Sequence, residues 1–280
     1  MQTLHIKKSS GELVPFDEYK LINSLRRSGA APDVVKQIVT LVQKDLYEGI
    51  TTRKIFQLAA RRLKALSRHT AGRYNLKNGI MELGPSGFPF EQFVAALLRE
   101  EGYSTRVSVI LHGKCVKHEI DVIAEKNNEL LLLECKYHNL QGTQCDVKIP
   151  LYINSRFDDV LEPLLKNEKM KGKRIQGQIY TNTGFTSDAI TYAQCAGLNL
   201  IGWNFDEENS LRTRLDQLRL YPITVLTSLN KADKIRLIEK GIVLCKEILK
   251  NPEVLVANGV RLSKRDAVLS EIEALCHHNV

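Results

Sequence analysis

Three side chains in the middle of the chain offer chemistry. Asp121 falls in the strand-like run 119–125, and Glu134 and Lys136 fall in the strand-like run 129–136. Side chains alternate along a strand, so Glu134 and Lys136 point to one face. If the two runs form a hairpin across Lys126-Asn127-Asn128, all three side chains converge at one end of a sheet. Two carboxylates hold a hard cation such as Mg²⁺ through oxygen ligands. A lysine beside them orients a water molecule or stabilises developing negative charge, and the set suits metal-assisted hydrolysis of a phosphodiester. Leu130 to Leu133 come directly before Glu134, so the charges close a core strand. Unpaired charge there is costly and must be paired or bind metal. The same spacing also fits a plain Glu–Lys contact at a strand end.

The elements that position these residues are legible around them. Phe90, Phe93, Val94, Leu97 and Leu98 mark an amphipathic helix that stops at Gly102. Glu91 lies on the edge of that apolar stripe and leans toward the sheet, or else is an ordinary exposed helix glutamate. Strand-like runs at 104–111, 175–180 and 198–203, with a helix at 186–196, complete an α/β unit with a mixed sheet. Ahead of it, strands at 3–7 and 13–16 flank the turn-like Ser9-Ser10-Gly11, and helical spacing follows at 17–28, 33–47 and 52–68. The last helix carries Ile55, Leu58, Ala59, Leu63 and Leu66 on one stripe. Gly and Pro concentrate at Met81–Pro89, the best linker. Residues 209–280 read as helical, with stretches near 230–250 and 263–276. Three domains are therefore expected: 1–84, 85–208 and 209–280.

Composition narrows the classes. The 280 residues are 43% hydrophobic, and no apolar run reaches the length needed to span a bilayer, so no membrane role is expected. The first residues lack the apolar stretch of a secretory signal. Six cysteines at 115, 135, 145, 195, 245 and 276 include no CxxC pair, which argues against a zinc ribbon and for a reduced, cytoplasmic setting. The net charge of +8 is uneven: residues 1–84 carry +8, residues 85–208 carry −4 and residues 209–280 carry +4. Basic blocks flanking an acidic one fit a polyanionic partner such as DNA, and equally fit solvated helix faces. Lys231, Lys234, Arg236 and Lys240, with Lys264-Arg265, could grip phosphates or pack the carboxy-terminal helices. No GxxxxGK[ST] occurs, so ATP-driven motor activity is not supported.

The order helix, strand, Asp strand, ExK strand, helix, strand resembles the PD-(D/E)xK nucleases. Within them it is similar to the Mrr-type restriction endonuclease catalytic domain, over about 85–205. Phe90 to Leu98 with Gly102-Tyr103, then Glu119-Ile120-Asp121-Val122 and Glu134-Cys135-Lys136, carry the likeness. Thr183-Gly184-Phe185-Thr186, with Ala189 and Ala193, extends it. The resemblance implies a restriction-endonuclease-like sheet flanked by helices and Mg²⁺-dependent hydrolysis of DNA. It also implies Asp121 and Glu134 as metal ligands, Lys136 as the water-positioning or charge-stabilising group and Glu91 as a supporting acid. The approach to the aspartate, Lys117-His118-Glu119, departs from the family's glycine-rich one. His118 is open as a general base, a phosphate contact or a plain strand-edge histidine.

Residues 4–75 resemble the ATP-cone domain. Lys8-Ser9-Ser10-Gly11, Val14-Pro15-Phe16-Asp17, Lys20-Leu21 and Gly49-Ile50-Thr51-Thr52 carry that likeness, with Ala71 and Tyr74. It implies a mostly helical domain holding ATP or dATP, with Lys8 and Lys20 at the phosphates and Asp17, Leu21 and Thr52 around base and sugar. The family's arginine after the first lysine is Ser9 here, which removes a fork-shaped donor, and Lys7 could compensate. The whole reads as a Mg²⁺-dependent DNA endonuclease whose activity or homo-oligomeric state answers to adenine nucleotide. The alternative is a nucleotide-responsive DNA-binding or assembly module with a structural nuclease-like domain.

Overall fold

The computed structural model describes residues 4–8, 11–140 and 142–276. The chain divides into two compact units, one of Met1–Gly79, Tyr221–Leu237 and Cys245–Val280, the other of Ile80–Leu220 and Ile238–Leu244. The sequence blocks 1–84, 85–208 and 209–280 do not follow these lines, because the carboxy-terminal helices are shared between the two units.

In the first unit, β1 (His5–Lys7) pairs antiparallel with β2 (Leu13–Pro15), as the turn-like cluster between them suggests. Gly11 takes φ 90°, a conformation that costs glycine little, and its N–H closes the turn on the Lys8 carbonyl. After α1 (Glu18–Arg27) and α2 (Pro32–Gln43), a strand that spacing did not reveal, β3 (Ile50–Thr51), lies parallel to β1 with Lys7 beside Thr51. It leads directly into α3 (Thr52–Leu66), and α4 (Arg68–Tyr74) and α5 (Leu76–Met81) follow where a linker was about to begin. Asp17 and Thr51 are the N-caps of α1 and α3, each accepting backbone N–H groups of the first turn. Leu25, Ile38, Val42, Ile50, Ala59 and Leu63 form the centre of the core. Leu66, the fifth member of the expected α3 stripe, is 48% exposed, because the helix ends there and the chain turns at Ser67.

The same unit takes in α10 (Lys231–Glu239) as far as Leu237, then α11 (Cys245–Lys250), α12 (Val254–Ala257) and α13 (Leu262–Cys276). The expected helix over 230–250 is broken at Gly241, which adopts φ 77°. Arg73 donates to the Ala274 and Leu275 carbonyls at the end of α13, satisfying acceptors that a helix terminus leaves open. Gly72 lets α4 approach, since a Cβ there would stand 3.0 Å from Leu275.

The second unit opens with α6 (Phe88–Glu100), then β4 (Ser104–His112), β5 (Lys117–Lys126) and β6 (Glu129–Lys136) as an antiparallel meander. The short strand β7 (Gln144–Cys145) precedes α7 (Lys148–Leu165). Next come β8 (Arg174–Thr181), β9 (Gly184–Phe185), α8 (Ser187–Ala196), β10 (Asn199–Ile201) and α9 (Leu211–Leu218). The sheet order is β10-β8-β6-β5-β4, with β6, β8 and β10 parallel and helices α7 and α8 in the crossovers. This is the mixed sheet flanked by helices expected from the sequence. β6 lies in the middle, so its four leucines are all buried. Leu130 and Leu132 share a core with Ile153, Phe157 and Val160 of α7. Gly177 permits that packing, because a Cβ there would meet the Phe157 ring at 2.5 Å. Among the described residues no helix is long and apolar enough to cross a membrane.

Candidate active site

The polar end of β6 is positioned by a parting of strands. The β5–β6 ladder runs from Lys126↔Glu129 to Val122↔Leu133 and stops there. Beyond it, the Asp121 carboxylate accepts the backbone N–H of Cys135 at 2.7 Å, taking the place of a ladder bond. On its other side β6 stays paired with β8 through Lys136↔Thr181. β4 is also distorted opposite this point: its ladder passes from Val107↔Val122 to Val109↔Ile120, and Ser108 between them takes φ 52°. Distortions of this kind collect beside functional sites. Asp121, Glu134 and Lys136 are each half-buried at the open end so formed.

Glu91 reaches the same end from the first turn of α6. Burial pushes its carboxyl up to about 7, helped by the charges of Asp121, Glu119 and Glu134. Burial and the Asp121 charge likewise push Glu134 up to about 7, against the pull of Arg156 and Lys136. Burial also raises Asp121 despite the Cys135 N–H and the Arg156 and Lys136 charges. Three acids held above their ordinary range at once mark a place short of positive charge. The structure thus brings Glu91, Asp121, Glu134 and Lys136 to one end of the sheet.

Two groups here were not found from sequence. Arg156 of α7 binds Glu134, Nη1 to Oε2 at 2.8 Å, and its other nitrogen donates to the Glu119 carbonyl. It lies one position off the buried Ile153–Phe157–Val160 stripe, which places it at the edge where the helix meets the sheet. The second is Asp159, one turn on. It accepts His118 Nε2 at 2.7 Å and the N–H groups of Cys115 and Val116 at 2.8 and 3.2 Å, so it ties His118 at the start of β5 to the β4–β5 turn. The only sequence signal for it was an acidic residue one turn beyond Arg156.

The donor set suits a hard cation that keeps much of its water. Among the described residues no group of three or more His, Cys, Asp or Glu side chains stands ready to hold a metal ion. Asp121 and Glu134 therefore offer what Mg²⁺ commonly takes from a protein, one or two carboxylates, with water and phosphate oxygens as the remaining ligands.

In the first unit, the residues expected to meet nucleotide fall at two ends of the small sheet. Lys7 and Lys8 are exposed at one end, where β1–β3 pairing brings them beside Thr52 at the start of α3. The Lys8 ammonium is 2.8 Å from Glu12. Asp17 and Lys20, 3.7 Å apart, lie toward the other end, and Leu21 is turned into the core. Ser9 lies outside the described residues. The carboxy-terminal basic cluster is largely engaged within its own unit: Lys234 with the Thr224 carbonyl, Arg236 and Lys264 with Asp233, and Arg265 with Glu253.

Three family models match successive stretches of the chain. The ATP cone domain family matches residues 4–76, the restriction endonuclease family matches 84–149, and the AF1548-like C-terminal family matches 221–276. An uncharacterized protein of Archaeoglobus fulgidus is 35% identical, over 64% of this chain and 97% of its own length. The crystal structure of AF1548, a protein of unknown function, is 33% identical with a TM-score of 0.56, covering 68% of this chain and 98% of that one. An ATP cone followed by a restriction-endonuclease domain, with relatives matched over nearly their whole length, makes this chain a member of the AF1548-like family.

Proposed function

We propose that the protein is a Mg²⁺-dependent DNA endonuclease whose activity answers to ATP or dATP at the amino-terminal cone. The observation that carries this reading is the open end of β6, where Asp121, Glu134 and Glu91 are all raised above the ordinary carboxylate range beside Lys136. Asp121 and Glu134 would hold the ion, which when bound polarises a phosphoryl oxygen and lowers the pKa of a bound water. The Lys136 ammonium shares the face of Glu134, where it can orient that water or meet charge developing on the phosphate. Glu91 is suited to accept a proton from the water, because its carboxylate faces the end of the sheet that Asp121 and Glu134 share. Arg156 holds Glu134 in place. At the cone, Lys7 and Lys8 beside the α3 amino terminus suit the phosphates of a nucleotide.

The ion pair between Arg156 and Glu134 favours a second reading, in which the nuclease-like domain is structural and the protein is a nucleotide-responsive DNA-binding module. One experiment separates the two. Supercoiled plasmid is incubated with Mg²⁺ and the wild type, Glu134→Gln or Lys136→Ala, each with and without ATP or dATP. The nuclease reading expects cleavage by the wild type, lowered about a thousandfold in either variant and changed by nucleotide. Equal behaviour of all three proteins leaves the second reading.

A further inference from the structure

A cleft of about 760 Å³ lies along the β10 edge of the sheet, within the second unit. That size is in the range of small-molecule sites. The cleft reaches Glu101, just past the end of α6, whereas Glu91 lies in the first turn. At 1.5 Å per residue these positions are roughly 15 Å apart, so the cleft is separate from the carboxylate end.

Its chemistry is unlike that of the carboxylate end. Five carboxamides line it: Gln178, Gln194, Asn199, Asn209 and Gln217. Each presents donors and an acceptor side by side. Gln178 Oε1 is buried in the wall without a hydrogen-bond partner, so a ligand in the cleft meets this acceptor only once the side chain turns outward. Leu131, Leu200 and Phe205 supply apolar surface. Arg214 is the one cation in the lining, and it is already spoken for: Nε donates to Glu101 Oε1 at 2.7 Å, and its other nitrogens bind Glu101 Oε2 and the Tyr180 hydroxyl. Asp206 leaves the lining net negative. Such a site repels a phosphate and suits a neutral, flat, apolar-faced group with donors and acceptors along its edge. Carboxamides pair with base edges in this way, and aromatic rings stack on their faces.

We propose that this cleft is a nucleobase site, taking the base of a nucleoside, free or turned out of a DNA duplex, with the carboxamides reading its polar edge. The reading goes beyond the nuclease proposal and needs neither metal nor Asp121.

The test uses the full chain in EDTA, so that cleavage plays no part. Adenosine, guanosine, cytidine and thymidine are titrated calorimetrically. In parallel, duplexes carrying 2-aminopurine are titrated with protein, since the probe brightens when it leaves the stack. Both are repeated with Gln178→Leu and with Asn209→Ala, the latter an exposed loop position that spares the core. Saturable binding of a nucleoside, weakened about tenfold or more in both variants, supports the site and assigns free nucleoside as its ligand. A rise in 2-aminopurine fluorescence that both variants lose supports the site and assigns a base from DNA. Absence of both signals, or signals that survive Asn209→Ala unchanged, overturns the proposal. Because no step depends on Mg²⁺, failure here leaves the plasmid result standing, and failure of cleavage leaves this one standing.

Discussion

The two units bury carboxylates in opposite ways. In the first, Asp233 is 6% exposed, and burial alone would raise its carboxyl. Lys264 at 3.2 Å, the Asn230 N–H and Arg236 at 2.5 Å outweigh burial and hold it below the usual range. Glu271 nearby accepts the N–H groups of Thr227 and Ser228 at 2.7 and 2.8 Å. In the second unit Asp121 and Glu134 share Arg156 and Lys136, Glu91 meets only burial and neighbouring acids, and all three remain raised. Fully compensated acids knit helices together. Under-compensated ones mark a position that a cation would complete, which is why the contrast points to function in one place and to architecture in the other.

The contrast is sharpest where it predicts opposite signs. Asp233→Ala removes the carboxylate shared by Lys264, Arg236 and the Asn230 N–H and is expected to destabilise the protein by about 3 kcal/mol in urea unfolding. A change within a few tenths of a kcal/mol would remove Asp233 as the compensated case. Saturating Mg²⁺ should act in the other unit: at a hundredfold excess over Kd, bound ion stabilises by about 2.7 kcal/mol. That gain, read as a rise in melting temperature, is expected in the wild type and in Asp233→Asn but not in Asp121→Ala.

A smaller effect tests the under-compensated side without metal. In EDTA at neutral pH, Glu134→Gln removes a charge that its surroundings disfavour, and the amide oxygen can still accept from Arg156. The variant is expected to gain about 1 kcal/mol, as often happens when a functional site is relieved of strain. A loss of similar size would mean that the Arg156 pair dominates, and Glu134 would then belong with Asp233.

How far the sequence reached follows the range of the interactions. The β5–β6 hairpin was readable because its determinants are local: Asn127-Asn128 supplies the turn, Asn127 taking φ 52°, and the leucine run announces a central strand. Convergence of Asp121, Glu134 and Lys136 followed from that hairpin alone. Helix α7 was expected after the ExK strand only through the family order and was given no range, although Ile153, Phe157 and Val160 carry its spacing. Pro150 sits in the first turn, where the missing N–H costs nothing, and Pro163 near the end. Arg156 was lost with the helix, since its meeting with Glu134 depends on how a crossover lands on the sheet. β7 and β9 are two residues each and have no period to detect. The Gln178 cleft gathers residues from seven stretches of chain and leaves no local trace at all.

Asp159 tests whether compensation or location decides the outcome. It belongs to the second unit, yet the His118 hydrogen bond above all, with the Cys115 and Val116 N–H groups, holds its carboxyl well below the usual range. A depressed folded-state pKa contributes stability that is fully present above the unfolded value of 3.8 and is lost as pH falls through the folded value. The melting temperature of Asp159→Asn should therefore lie below that of the wild type at pH 6, and the gap should narrow steadily on acidification below about pH 4. A gap that is the same at pH 6 and pH 3 would show that the turn is held by hydrogen-bond geometry that asparagine cannot copy, with no part for the charge. A gap that closes would group Asp159 with Asp233 against its own neighbours. It would then be the number of partners, rather than the unit in which an acid is buried, that separates a structural carboxylate from one that awaits a cation.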